Sequence, residues 1–335
     1  VRRIDRSFQV NNSMPALKTF ALIHPLTPEQ LHSFQSAFPD IEILHAESGM
    51  PRGFEQAQAA AVHWNVNNFA GLLAAGRSLR WLHIRSTGVE QLAAAAQTRR
   101  DVTLTNGSGN HAPNIAEHVL AMMFAFARQL PHFVRAQDRR EWKPVRSDRV
   151  FELSEQHVVI VGLGSIGLEL ARRAKALGMR VTGVRRRAAM PLPPSVDEVC
   201  AIFDVDEVLT KADHVVLALP LTEQSIQLFD KRRLACIKPG AYLYNVGRGQ
   251  TVDHDALVGA LASGHIAGAG LDVTYPEPLP DNSPLWVFPN VLLTAHTAGA
   301  TPRSYQRFEA LVMENMRRFS EDRPLLNVVD KAVGY

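Results

Sequence analysis

Apolar and polar positions change period several times along the chain, and each change marks an element. From Lys18 to about Asn106, short β-rich runs ("KTFALIH", "IEILHA", "AAVHW", "LRWLHIRS", "VTLTN") alternate with segments of helical spacing such as "PEQLHSFQSAF". That alternation predicts βα units on a mostly parallel sheet. "NHAPNIAEHVLAMMFAFARQL" then predicts one long helix, with Pro113 in its first turn and apolar residues continuing to Leu130. A helix apolar on most sides is buried on several of them, as a connector between domains is. The next stretch, "PHFVRAQDRREWKPVRSDRVFELSEQ", is charged and weakly periodic, and reads as an arm or a linker.

A second alternating series follows, from "HVVIVGLG" through "MRVTGV", "HVVLALP", "AYLYNVG" and "IAGAGLDV" to "VLLTAH". Its strands are nearly continuous apolar runs, the pattern of strands covered by helices on both faces. This predicts a doubly wound sheet of six or seven strands, closed by a helix from about Pro302 to Arg318. The segment "LLNVVD" after it is expected to return to the first domain.

Composition narrows the class. A chain of 335 residues suggests two domains, and 46% hydrophobic with 21% charged residues describes a globular protein. No apolar run approaches the roughly 20 residues that cross a bilayer. The two cysteines, Cys200 and Cys236, are too few for a disulfide framework and have no metal-ligand spacing, so a cytoplasmic protein without metal is expected. A net charge of +3 spread over 36 basic and 33 acidic residues implies no nucleic-acid face. Residues 1–13 lack an apolar targeting core and read as a flexible leader before Met14.

Candidate chemistry begins at "GLGSIG". Gly162, Gly164 and Gly167 follow an apolar strand and open a helix, the placement that lets a pyrophosphate meet the amides of Ser165 and Ile166 at a helix N-terminus. At the end of the second strand, where NAD-binding folds carry a carboxylate for the ribose hydroxyl, this chain has Arg185, Arg186 and Arg187. Guanidinium groups there suit a 2′-phosphate, so NADP(H) is the expected cofactor, with NAD(H) as second choice. The alternative reading of the arginines is a solvated basic loop or a nucleic-acid patch.

Arg248, Glu277 and His296 each lie just past a predicted strand of the same sheet, where open α/β sheets bind ligands. Hydride transfer to a carbonyl leaves charge on oxygen, so a proton donor is needed. Histidine suits that task, a carboxylate orients the ring, and an arginine grips a substrate carboxylate. Taken singly, each has a bland reading as a surface or loop residue; three strand ends beside a nucleotide loop favour the catalytic one.

The motifs "GLGSIG", "KPGAYLYNVGRGQTVD", "GLDVTYPEP" and "TAHTAG" resemble those of the D-isomer-specific 2-hydroxyacid dehydrogenases, nearest the glyoxylate/hydroxypyruvate reductase branch. The resemblance implies His296 as acid/base, Glu277 as its partner and Arg248 as substrate anchor. It further implies substrate contacts at Thr87, Gly88 and Val89, and cofactor contacts at Leu219, Pro220, Val246, Asp272 and His296. Its architecture is a discontinuous flavodoxin-like substrate domain (14–112 and 301–335) plus a Rossmann domain (113–300) that forms a homodimer. The segment 131–156 is then a dimer arm, with Trp142 either reaching the neighbouring pocket or anchoring the arm by packing. The implied activity is reduction of a small 2-oxo acid to the D-2-hydroxy acid and its reverse. Two rivals stand beside it: a D-lactate or other 2-oxo acid dehydrogenase, and a dinucleotide-sensing protein like the C-terminal-binding corepressors.

Overall fold

The computed structural model describes residues 17–63, 68–89, 95–186 and 190–331. The proposed leader and Arg187 lie outside the described residues. The chain divides into two compact units, Val1–Gly107 with Gln306–Gly334, and Ser108–Tyr305.

The first unit holds five parallel strands, β1 Thr19–Ile23, β2 Glu42–Ala46, β3 Ala59–Val62, β4 Trp81–Ile84 and β5 Thr103–Asn106. Their order, β2-β1-β3-β4-β5, is that of flavodoxin. Helix α1, Pro28–Ala37, starts where the sequence says it should: Thr27 and Gln30 form a reciprocal capping box and Pro28 takes the first turn. Helix α2 spans Phe69–Ala75. The segment after the last helix does return to this unit, since the Val329 amide donates to the Leu104 carbonyl at 2.8 Å and Val328 bridges Thr105.

The second unit carries seven parallel strands: β6 His157–Val161, β7 Arg180–Arg185, β8 Glu198–Ala201, β9 His214–Leu217, β10 Ala241–Asn245, β11 Ile266–Leu271 and β12 Val291–Leu293. Their order is β12-β11-β10-β9-β6-β7-β8, so the direction of winding reverses at β6. Such a reversal opens a crevice beyond the strand ends. Along β6 the side chains alternate between two cores, Val158 and Ile160 in one, Val159 and Val161 in the other. Burial on both faces contributes on the order of 1.5–3 kcal/mol per fully covered Val or Leu, and explains the unbroken apolar runs. Strand β8, short, at the sheet edge and nowhere fully buried, lacks that signature and is absent from the pattern-based expectation.

Helix α3, Ala112–Ala127, is shorter than the pattern suggests. Gln129 adopts a left-handed backbone (φ 57°) and breaks the run, and a new helix, α4 Leu130–Asp138, begins with Pro131 in its first turn. The expected irregular arm therefore starts as a helix; the charges that hide its periodicity are on its exposed side. Helices α5 Ser165–Ala176, α6 Val205–Leu209, α7 Lys231–Cys236 and α8 His254–Ala262 complete the layers. Helix α9, Pro302–Ser320, carries the chain back to the first unit, where Phe308, Val312 and Met316 are buried with Phe20 and Trp81. Among the described residues no helix is long and apolar enough to cross a membrane.

Candidate active site

Strands β10, β11 and β12 are neighbours and parallel, so their carboxyl ends emerge side by side. Arg248 lies just beyond β10, Asp272 and Glu277 beyond β11, and His296 beyond β12. The sheet order, which a sequence does not state, is what makes three distant segments adjacent.

Glu277 and His296 are in direct contact: His296 Nδ1 lies 2.9 Å from Glu277 Oε2. The other carboxylate oxygen, Oε1, accepts the Thr274 amide at 3.0 Å. One oxygen thus fixes the carboxylate to its own turn while the second orients the ring. With Nδ1–H donating to Glu277, Nε2 is the nitrogen available to carry a transferable proton. His296 itself has φ 52°, the left-handed region that a non-glycine residue adopts only when its surroundings over-determine it. Its amide is held by the Asp272 carbonyl at 2.8 Å and the Thr294 carbonyl at 3.1 Å.

Arg248 sits between two glycines because its turn presses against the loop that leads to Glu277. A Cβ on Gly249 would lie 1.9 Å from the Thr274 carbonyl oxygen, so only glycine permits the approach. The Arg248 carbonyl accepts from Asn245 Nδ2 at 3.0 Å and Thr251 Oγ1 at 2.7 Å, and its guanidinium donates to the Gly247 carbonyl at 2.8 Å. The arginine is partly exposed and its turn is fixed from both sides.

The glycine loop joins β6 to α5 at the winding reversal. Gly162 has φ 110°, and a Cβ there would lie 2.6 Å from the Ala218 carbonyl oxygen, which follows β9. Among the described residues, a Cβ on Gly164 would meet nothing within 4 Å, and no side chain caps the first turn of α5. Open space beside uncapped helix amides at Ser165 and Ile166 is what a dinucleotide pyrophosphate requires, so these residues fit the group. Leu219 and Pro220 follow β9, the strand next to β6, and Val246 is buried just past β10. Arg185 ends β7 with its guanidinium turned to the Met190 and Pro191 carbonyls, and Arg186 is exposed.

Asp272 is buried, and its carboxylate accepts from Thr294 Oγ1 at 2.6 Å and from the Thr297 and Ala298 amides at 3.0 and 3.2 Å. It therefore anchors the segment that bears His296. Three further residues of this network were not among the expected site residues: His111, Asn114 and His118. A signal existed, since Asn114 and His118 are polar residues one turn apart on a largely apolar helix, with His111 at its N-cap.

In the first unit, the loop of Thr87, Gly88 and Val89 follows β4. It is closed by Ser86 Oγ donating to the Gly88 carbonyl at 2.7 Å and by Asn106 Nδ2 donating to the Thr87 carbonyl at 2.8 Å. Trp142, beyond α4, is fully exposed.

The profile of the family described as "D-isomer specific 2-hydroxyacid dehydrogenase, NAD binding domain" matches residues 120–298, more than half of the chain. The chain belongs to that family. The protein is accordingly an oxidoreductase with a nicotinamide dinucleotide cofactor, from a family that acts on small 2-oxo and 2-hydroxy acids. Among similar proteins, the glyoxylate reductase of Pyrococcus furiosus is 34% identical over 74% of this chain and 75% of its own length. A D-isomer specific 2-hydroxyacid dehydrogenase of Xanthobacter autotrophicus Py2, solved with NADPH and MES, is 31% identical with a TM-score of 0.82, covering 96% of this chain and all of that one. The NADPH-dependent glyoxylate/hydroxypyruvate reductase of Sinorhizobium meliloti, solved with NADP and sulfate, is 25% identical with the same TM-score, over 95% of this chain and all of that one.

Proposed function

We propose that this dehydrogenase reduces a small 2-oxo acid of the glyoxylate or hydroxypyruvate type to the D-2-hydroxy acid, prefers NADPH, and runs in reverse when the pools favour it. The observation that carries the reading is the 2.9 Å pair of His296 and Glu277 at strand ends beside an uncapped glycine loop. Bound nicotinamide supplies the hydride to the carbonyl carbon. His296, as imidazolium, gives its Nε2 proton to the carbonyl oxygen as negative charge develops there, and Glu277 balances the charge and holds the ring. Arg248 grips the substrate carboxylate through paired, charge-assisted bonds. One hydride and one proton thereby turn a ketone or aldehyde into an alcohol.

NADPH preference is supported by Arg185 and Arg186 at the end of β7, and by the NADPH and NADP recorded in the two similar structures. The first unit serves as the substrate domain, with backbone amides around Thr87, Gly88 and Val89 meeting the acid. A homodimer through the second unit is supported by the exposed Leu130, Phe133 and Val134 on α4 and by the exposed Trp142 beyond it.

The test is oxidation of NADPH and of NADH in parallel over glyoxylate, hydroxypyruvate, pyruvate, phenylpyruvate and 2-oxoisocaproate. Turnover of one or two of the smaller acids, faster with NADPH, is expected. Tight dinucleotide binding with no turnover of any acid would transfer the reading to a dinucleotide sensor.

A further inference from the structure

Helix α3 and its N-cap residue bond to the segment bearing His296 at three points, one before the histidine and two after it. His118 Nε2 lies 3.0 Å from Thr294 Oγ1. Asn114 Nδ2 donates to the Ala298 carbonyl at 2.7 Å, and His111 Nδ1 lies 2.9 Å from the Gly299 carbonyl. Asn114 and His118, four residues apart, share one face of α3, and His111 caps its start, so a single element meets both flanks of one short loop.

The direction of the bonds follows from proton counting. Thr294 has one hydroxyl proton, and at 2.6 Å from the Asp272 carboxylate it is donated there. Its lone pairs are what remain for His118, so His118 must present Nε2–H. The chain of donors therefore runs from His118 to Thr294 to Asp272, whose carboxylate also receives the amides of Thr297 and Ala298. His111 must likewise present Nδ1–H to a carbonyl. Each bond is charge-neutral or points toward the carboxylate, and none competes with another for a proton.

The loop needs such holding. His296 is in the left-handed region at φ 52°, a conformation that costs on the order of 1–3 kcal/mol for such a residue and relaxes unless its neighbours prevent it. A shift of about 1 Å in a reacting group can cost about a hundredfold in rate. Asp272 restrains the loop from just beyond the end of β11; α3 restrains it from a second element.

We infer that His111, Asn114 and His118 form a clamp by which α3 positions His296, making His118 and Asn114 positioning residues of the proton-transfer step. The inference rests on the reading of His296 as the proton donor. Neither residue supplies a proton to substrate or holds the dinucleotide; both act through the geometry of the loop.

The experiment compares His118→Ala, His118→Gln and Asn114→Ala with the unaltered protein, by steady-state kinetics, dinucleotide titration and hydrogen exchange. For His118→Ala and Asn114→Ala, kcat is expected to fall about tenfold while the NADPH dissociation constant stays within about twofold. Gln carries a donor where the imidazole Nε2 stood, so His118→Gln should recover most of the loss, which a packing role alone would not give. Amide exchange across residues 294–300 should rise severalfold in both Ala variants and remain unchanged across β6 and the glycine loop. Wild-type exchange in 294–300 for both Ala variants, or a rise spread evenly over the whole chain, overturns the clamp. If the unaltered protein turns over none of the acids, the proton-donor reading fails by itself, and the exchange data alone decide whether α3 holds the loop.

Discussion

Glu277 divides its two oxygens between Thr274 and His296, so the imidazole is oriented by a carboxylate that is itself fixed to the backbone. Replacing His296 by Ala should lower kcat by about a hundredfold or more with little change in NADPH affinity, and Glu277→Gln should lower it by about tenfold. Stopped-time assays with the best 2-oxo acid, beside a fluorescence titration of NADPH, measure both. Near-normal turnover in His296→Ala would remove it from the mechanism.

Arg248 lies on a turn locked by Gly249 against the Thr274 carbonyl. Arg248→Lys keeps a positive charge but loses the planar fork that pairs with a carboxylate. The KM for the 2-oxo acid should rise by about tenfold or more, with the NADPH dissociation constant within about twofold of the original. An unchanged KM with lost dinucleotide binding would show that the arginine serves the cofactor instead.

Arg185 ends β7 and Arg186 follows it, where a dinucleotide fold reads the adenosine ribose. Replacing both by Ser should weaken NADPH by about tenfold or more and leave NADH within about threefold. Equal weakening of the two cofactors would point to general electrostatics rather than to recognition of the 2′-phosphate.

Burial pushes His24 and His214 down to about 4 and His83 down to about 3, from an ordinary 6.5. Folded, these rings stay neutral where the unfolded chain already takes up protons. Between pH 6.5 and 4 the unfolded state thus binds more protons, and stability is lost as pH falls through that window. Each pKa unit corresponds to about 1.4 kcal/mol, so the thermal midpoint should drop by several degrees between about pH 7 and about pH 5. A midpoint that is flat or rises on acidification would contradict the neutral assignment.

Much of the fold is legible in the sequence because its signals are local. The apolar runs of β6, β9 and β10 announce strands covered on both faces, and the Thr27, Pro28 and Gln30 cap announces α1. The spacing of Gly162, Gly164 and Gly167 is set by one strand, one turn and one helix, so it too is readable without a partner. Where the signal is weak, the reading slips. Strand β8 is a four-residue edge strand with no fully buried position, too short to announce itself, and the charged segment after Leu130 conceals α4.

The sequence alone determined the elements, the nucleotide loop and the residue types available for chemistry, since periodicity and turn composition depend on near neighbours. Only the tertiary structure decided that β10, β11 and β12 lie side by side, because strand order comes from packing and not from chain order. That order brings His296 to 2.9 Å from Glu277. The left-handed turn at His296 and the bonds that α3 makes to its loop were likewise decided there. A hydrogen bond between residues far apart in sequence forms only after the core has fixed both elements, so no local pattern encodes its distance.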